Sequence, residues 1–349
     1  MNSSGLEGVV AAETRLSDVN GDEGRLVIAG AQVEDLAGLP YETVLERLLG
    51  EPVTGLGAAR VKAFALLPTL GKALDAADGM DALRGSVGQL DGASSPLEVV
   101  AATAVFAAAW SRKRAGLPPV APDASLPHAT DYLRMLLGSA PSAAAARAIN
   151  AYLVTVIDHG MNASTFTARV IASTRSDLVS AVTGALGALK GPLHGGAPGP
   201  VLDMLDAVGS PEHAEAWLTK ELDAGRRIMG MGHRVYRVRD PRAAVLERAL
   251  EQLANAAGDQ ALSKRLPLAR GVEKAATTLL KNRYPDRELK ANVEFYTATL
   301  LDALGVDRAA FTPTFAVGRA GGWVAHALEQ RATGRLIRPS STYVGALPS

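Results

Sequence analysis

The sequence predicts an all-α fold, and three observations carry that expectation. Alanine and leucine dominate the composition, β-branched alternating runs are scarce, and helix start and stop signals recur along the chain with apolar residues at helical spacing. In chain order, the strand signals are confined to short pieces such as Leu26 to Ile28. Ser95-Pro96-Leu97-Glu98 reads as a capping box with proline at the first helical position, opening an alanine-rich buried helix. Ala140 to Ala148 is alanine-rich, but periodicity resumes at Ile149, Leu153 and Val156, so helix rather than linker is expected. Ser176-Asp177 opens another helix, with Leu178, Val182, Leu186 and Leu189 on one stripe, and Gly191-Pro192 ends it. Asp240-Pro241 opens a further one, carrying Val245, Leu246, Leu250 and Leu253. There is no internal repeat, no low-complexity tail and no composition break, so the pattern alone places no domain boundary.

Composition narrows the function classes. A chain of 349 residues can bury a sizeable core in one large or two modest domains. Lys+Arg and Asp+Glu are equal at 36 each, so no global field points to nucleic acid or membrane, and an anionic ligand must be held by a few local arginines. The absence of cysteine excludes disulfides, thiolate metal sites and cysteine nucleophiles together. The start MNSSGLEGVV has neither a basic region nor a long apolar one, and the expectation is an unprocessed, cytoplasmic protein. Val99 to Trp110, the longest apolar stretch, is broken by Thr103 and is too short for the roughly 18 residues that span a bilayer.

Six histidines are available for chemistry. His128 (LPHAT) and His213 (SPEHAE) lie in polar, turn-like contexts and are expected at the solvated surface, whereas His326, inside GGWVAHALEQ, reads as a packed helix residue. His159, His194 and His233 each sit where a helix ends or a glycine-rich turn begins: Asp158-His159-Gly160, Leu193-His194-Gly195-Gly196 and Gly230-Met231-Gly232-His233-Arg234. Glycines there let a ligand or another backbone approach and leave N–H groups free to bind it. Each alone would pass for an ordinary turn, but three together, the last followed by arginines, weaken that reading. No two histidines have the i, i+4 spacing of a helical metal site, so no metal is expected. GMGHR is neither a P-loop nor a GxGxxG turn. Arg234, Arg237, Arg239 and Arg242 crowd one segment, with Arg319 and Arg338 further along, and arginine is the natural bidentate clamp for carboxylates. Arg319, amid FAVGRAGGWVAH, is costly to bury without an anion. Its partner is either a ligand or a structural carboxylate such as Glu329.

The residues also carry a resemblance. The run from Asp158 to Leu205, DHGMNASTFTARVIASTRSDLVSAVTGALGALKGPLHGGAPGPVLDML, resembles the citrate synthase family almost throughout. So do GLEGVVAAET at Gly5 to Thr14, GMGHRVYRVRDPRA at Gly230 to Ala243, ANVEFYT at Ala291 to Thr297, and FAVGRAGGWVAHALEQ followed by RLIRPSSTYVG. The ordered set spans the chain from near residue 5 to about 345. It implies an almost wholly helical homodimer, with a large domain from 1–194 and 298–349, a small helical domain from 195–297, and the active site in the cleft between them. By position, His194 would stabilise the enol or enolate of the acyl thioester, His233 would polarise the oxaloacetate carbonyl, and Glu294 would remove the α-proton. His159, Arg242, Arg319 and, across the dimer interface, Arg338 would hold oxaloacetate. Gly230, Met231 and Gly232, with Arg237 and Asn292, would receive part of the CoA. The implied reaction condenses acetyl-CoA with oxaloacetate and hydrolyses citryl-CoA, with no cofactor beyond these substrates. The alternatives are 2-methylcitrate formation from propionyl-CoA and a binding protein with little turnover.

Several positions depart from the family pattern. The base is normally Asp, and Glu294 is one methylene longer; a shift of about 1 Å in a catalytic group costs on the order of 10²-fold in rate. The usual Ala-Asn-Glu after the second histidine reads Ala197-Pro198-Gly199, the acidic residue after the first is Gly160, the second arginine of Arg-Pro-Arg is Ser340, and Tyr-Arg-Gly near the start is Ile28-Ala29-Gly30. None of these removes an oxaloacetate ligand.

Overall fold

The computed structural model describes residues 8–194, 198–233, 235–257 and 260–346. Arg234 and the Gly195–Ala197 turn lie outside them, as does the start of the Gly5 to Thr14 match. A small antiparallel sheet comes first, formed by β1 (Ser17–Asn20), β2 (Arg25–Ile28) and β3 (Ala31–Gln32) in that order, with Ser17 opposite Ile28 and Val27 opposite Gln32. Leu26 and Ile28 are buried and their neighbours half-buried, the alternation of a strand with one face on the core. The sequence pattern showed only β2; β1 and β3 carry too few apolar residues to announce themselves.

Among the described residues, everything else of regular length is helical. The chain continues through α1 (Val33–Leu36), α2 (Tyr41–Leu49), α3 (Leu56–Ala65), α4 (Gly79–Val87), α5 (Pro96–Arg114), α6 (His128–Leu137), α7 (Ala143–Val156), α8 (Ala163–Ser173) and α9 (Leu178–Leu189). It then forms α10 (Pro198–Val208), α11 (Ala214–Asp223), α12 (Pro241–Ala257), α13 (Gln260–Arg283), α14 (Val293–Ala303) and α15 (Phe311–Thr333). The Ser95–Glu98 capping box is present, and every residue of α5 from Val99 to Trp110 is buried. A helix apolar on all sides must be surrounded, and α3, α4, α6 and α15 pack around it. No described helix is long and apolar enough to cross a membrane.

Asp177 caps α9 by accepting from Ser180 N, and the stripe Leu178, Val182, Leu186 and Leu189 is buried as expected. Pro241 starts α12, whose Val245, Leu246, Leu250 and Leu253 are likewise buried. The expected helix at Ala140 begins later, at Ala143, because Pro141 turns Ala140 away from helical angles and Ser142 takes the cap.

Two close approaches place the site. On α15, a Cβ at Gly322 would lie 2.1 Å from the Ile157 carbonyl oxygen, and one at Gly318 would lie 2.5 Å from a Val156 methyl. The missing side chains let α15 press against the end of α7, bringing Arg319 beside Asp158 and His159. At the hairpin tip, a Cβ at Gly21 would lie 2.1 Å from the Val235 carbonyl oxygen, and the Arg237 N–H donates to the Gly21 carbonyl at 2.9 Å. The sheet is thereby fastened to the His233–Arg242 segment.

One surface expectation is corrected here. His213 is exposed, but His128 is fully buried at the start of α6, its ring stacked on Tyr41 with centroids 5.0 Å apart. Its local context is turn-like, but long-range packing by α2 and α3 covers it. His326 is buried as expected, 3.1 Å from both Asp158 oxygens and 2.7 Å from Arg169 Nη1. Since Arg169 can only donate, His326 Nδ1 accepts and its Nε2–H points at Asp158.

Candidate active site

Five chain segments converge on the cluster of expected residues. His159 follows the end of α7, His194 follows α9, His233 precedes α12, Arg242 and Glu294 lie in the first turns of α12 and α14, and Arg319 lies within α15. The His159 and His233 rings meet edge to face at 5.5 Å, and Tyr236 packs against both, at 5.6 and 4.8 Å. The Tyr236 hydroxyl lies 3.1 Å from His159 Nε2. Arg242 Nη2 is 3.5 Å from His233 Nε2. His194 and His159 feel the charge of Arg319, and Glu294 feels that of Arg242.

All three histidines are held neutral, and the tautomer of His233 is fixed by its hydrogen bonds. His233 Nδ1 accepts the backbone N–H groups of Val235 at 3.0 Å and Tyr236 at 3.2 Å. The neutral ring must therefore carry its proton on Nε2, on the side of Arg242. Burial, with Arg242 adding to it, lowers the His233 pKa to about 4. Burial and then Arg319 lower that of His194 to about 4, and burial and Arg242 lead in holding His159 well below the ordinary range. Three neutral N–H donors at neutral pH follow.

Ser164 was not singled out from the sequence, yet it tethers His194. Its hydroxyl lies 2.8 Å from His194 Nε2, its amide N 3.4 Å from the same atom, and Trp323 Nε1 donates to the hydroxyl at 3.0 Å. The hydroxyl in turn donates to Asn162 Oδ1 at 2.8 Å, so one serine side chain ties the His194 ring to the cap of α8 and to Trp323. The local signal was Asn162, whose side chain caps α8 and accepts from Ser164 and Thr165 N–H. Tyr236 and Asp240 were also passed over, because nothing within a turn of sequence reports what they touch.

The cations differ in a way that matters. Arg242 is buried and bound to Asp240, 2.7 Å from Nη2 to Oδ2; burial opposes its charge, but Asp240 outweighs that and the pKa is raised. Arg319 is 1% exposed, and no ion pair holds it among the described residues. Its Nε donates to the Val156 carbonyl and its guanidinium lies 4.7 Å from the Phe315 ring centroid. Burial lowers its pKa to about 10, with Asp158 acting the other way. Glu329 is not its partner: that carboxylate binds Arg169 at 2.7 Å. Ten residues along one helix put Glu329 about 15 Å from Arg319.

Glu294 is mostly buried, and burial, with Asp240 adding and Arg242 opposing, raises its pKa to about 7. Its N–H is capped by Asn292 Oδ1 at 3.0 Å. Asn292 also donates from Nδ2 to the Gly232 carbonyl and from its backbone to the Gly230 carbonyl, both at 2.9 Å, while Met231 bridges to Ala291. Gly230 and Gly232 have φ of 73° and 85°, angles that favour glycine. The expected CoA residues thus brace the turn that carries Glu294. Arg237 is exposed. Arg338 lies apart from the cluster, exposed beyond α15 on the rim of a cavity of about 480 Å³ that Val9, Phe166 and Leu336 also line. Among the described residues no group of three His, Asp or Glu side chains is arranged to hold a metal ion.

Comparison with known proteins places the chain in a family. A family model described as citrate synthase, C-terminal domain, matches residues 5–340. A citrate synthase of Haloferax volcanii is 39% identical over 98% of this chain and 95% of that protein. A 2-methylcitrate synthase of Mycobacterium tuberculosis is 36% identical over 98% and 90%. The solved ternary complex of citrate synthase from Thermoplasma acidophilum with carboxymethyl coenzyme A and oxaloacetate superimposes with a TM-score of 0.88, at 26% identity, over 100% of this chain and 97% of that one. Helical architecture, the ordered motifs and near-complete coverage agree, and the chain belongs to the citrate synthase family.

Proposed function

We propose that this protein condenses acetyl-CoA with oxaloacetate and hydrolyses the resulting citryl thioester to citrate and CoA, a step of the tricarboxylic acid cycle. The observation that carries the reading is Arg319, a fully buried guanidinium without an ion pair among the described residues, beside Arg242 and neutral His159. Such a site lacks an anion, and oxaloacetate is a dianion.

The roles follow from the states of the groups. Glu294, with its pKa near 7, takes a proton from the acetyl methyl. The neutral His194 N–H donates to the thioester oxygen as negative charge develops there. The methylene carbon attacks the oxaloacetate carbonyl, whose oxygen accepts from His233 Nε2–H and takes up a proton as the carbon–carbon bond forms. Water then cleaves the thioester, releasing CoA thiol. We further propose that residues 195–297 form a smaller domain that closes over the substrates, that Gly230–Gly232, Arg237 and Asn292 contact CoA, and that Arg338 reaches oxaloacetate across a cytoplasmic homodimer. Exposed Leu336, Tyr343 and Val344, which flank Arg338 in sequence, support that last step.

The test is CoA thiol release from acetyl-CoA with and without oxaloacetate, alongside propionyl-CoA. Oxaloacetate-dependent release with the higher kcat/KM on acetyl-CoA is expected. A preference for propionyl-CoA would make this a 2-methylcitrate synthase, as the Mycobacterium tuberculosis relative is named. No release from either would overturn the reading.

A further inference from the structure

Asp240 was read from the sequence only as a helix opener, and it does cap α12, accepting the Arg242 backbone N–H at Oδ1 at 3.0 Å. A cap needs one oxygen. Asp240 is 1% exposed and uses both. Oδ1 also accepts Arg242 Nε at 3.0 Å, and Oδ2 accepts Arg242 Nη2 at 2.7 Å together with the Val293 backbone N–H at 3.2 Å. The Asp240 N–H in turn donates to the Ala291 carbonyl at 3.3 Å. Val293 is the first residue of α14, and Glu294 is the second. One buried carboxylate therefore binds a guanidinium and the peptide next to Glu294.

We propose that Asp240 is a positioning residue that couples the Arg242 guanidinium to Glu294, so that binding of the oxaloacetate carboxylate at Arg242 and placement of the base are set by one group. The inference rests on the condensing reading above. The groups that act on Glu294 are Arg242 and Asp240 from α12 and its start, and Tyr152 from α7. Asp240 holds Arg242 away from a direct pair with Glu294 and keeps the base from ionising too readily; without it both changes would lower the Glu294 pKa. Asn cannot replace it, because its single acceptor oxygen would face two converging sets of donors.

The test uses Asp240→Asn and Val293→Pro in the full chain. Proline suits the first helical position, and Asn292, at φ −99° and ψ 177°, already has the angles required before proline. Val293→Pro thus deletes the N–H that reaches Asp240 and leaves an apolar ring in place of the buried valine side chain. Thermal denaturation establishes folding, calorimetry gives oxaloacetate Kd, and thiol release gives kcat, KM and their pH profiles. Val293→Pro should keep oxaloacetate Kd within about twofold and lower kcat about tenfold. Asp240→Asn should weaken oxaloacetate binding and also move the acid limb of kcat to lower pH, which a mere helix cap would not do. Wild-type kcat in Val293→Pro, or an unmoved acid limb in Asp240→Asn, overturns the coupling. Should Asp240→Asn not fold, Val293→Pro decides alone. Absence of turnover in the wild type would count against the condensing reading instead, so the two failures are distinct.

Discussion

Arg60 and Arg319 are both fully buried and both lie beside histidines, yet their surroundings differ. Arg60 Nε binds Asp131 at 2.8 Å, its Nη2 donates to the carbonyls of Asp123 and Leu126 at 3.0 and 2.7 Å, and His128 lies 3.5 Å from Nη1. Asp131 is further bound by Arg134 and by the Asp123 N–H. His128, its pKa lowered to about 3 by burial and then by Arg60, stays neutral. Around Arg319 the histidines are equally neutral, but no carboxylate is bound to the guanidinium among the described residues. A buried arginine matched by protein groups is architecture, and one left short of an anion marks a place for a ligand. The histidine alone does not tell them apart.

That contrast is broken most directly by matched substitutions. Arg319→Met should raise the oxaloacetate Kd about a hundredfold while leaving stability unchanged or improved by about 1–4 kcal/mol, since it removes an uncompensated buried charge. Arg60→Met should leave oxaloacetate binding intact and lower stability by about 3–5 kcal/mol, because Asp131 loses its fully buried partner and the Asp123 and Leu126 carbonyls lose their donor. Denaturant melts and calorimetric titrations of both variants check the pair, and equal behaviour of the two would erase the distinction.

A second prediction concerns Glu294. Its folded pKa of about 7 lies above the ordinary carboxylate value of 4.5, so the folded state binds more protons in that window and stability falls as pH rises through it. Glu294→Gln removes this contribution. The variant should gain on wild type between pH 4.5 and 7, reaching about 3 kcal/mol above pH 7. A constant difference across the window would show that Glu294 ionises normally. The smallest effect expected is that of Ser164→Ala, which removes the hydroxyl contact at His194 Nε2 and should cut kcat about tenfold with little change in oxaloacetate Kd. An unchanged kcat would mean that the tether is not needed.

The fold was largely legible because helix signals are local. Ser95, Asp177 and Pro241 act on backbone within one turn, and the stripes they introduce point to the core wherever the helix packs. The three site histidines were legible for a similar reason, since glycine-rich turns are written in neighbouring residues. His128 was not, because its burial depends on Tyr41 and Arg60, which are distant in sequence. Glu329 likewise pairs with Arg169 on another helix. Ser164, Tyr236 and Asp240 look ordinary in sequence; what makes them relevant is a ring nitrogen, a second ring or an amide that only the tertiary structure brings within 3.2 Å.

The departure from the family pattern at position 294 falls on the residue assigned as the base. CoA thiol release is measured with saturating oxaloacetate and acetyl-CoA for wild type, Glu294→Gln and Glu294→Asp across pH 5.5 to 9, a range of about two units around the Glu294 pKa. Wild-type kcat should rise with pH and level off above about 7, and Gln should lower it by about 10²–10⁴-fold without changing oxaloacetate affinity. A Gln variant as active as wild type would show that Glu294 is not the base, and a wild type that turns over only after Glu294→Asp would contradict the reading of the native chain as a working enzyme.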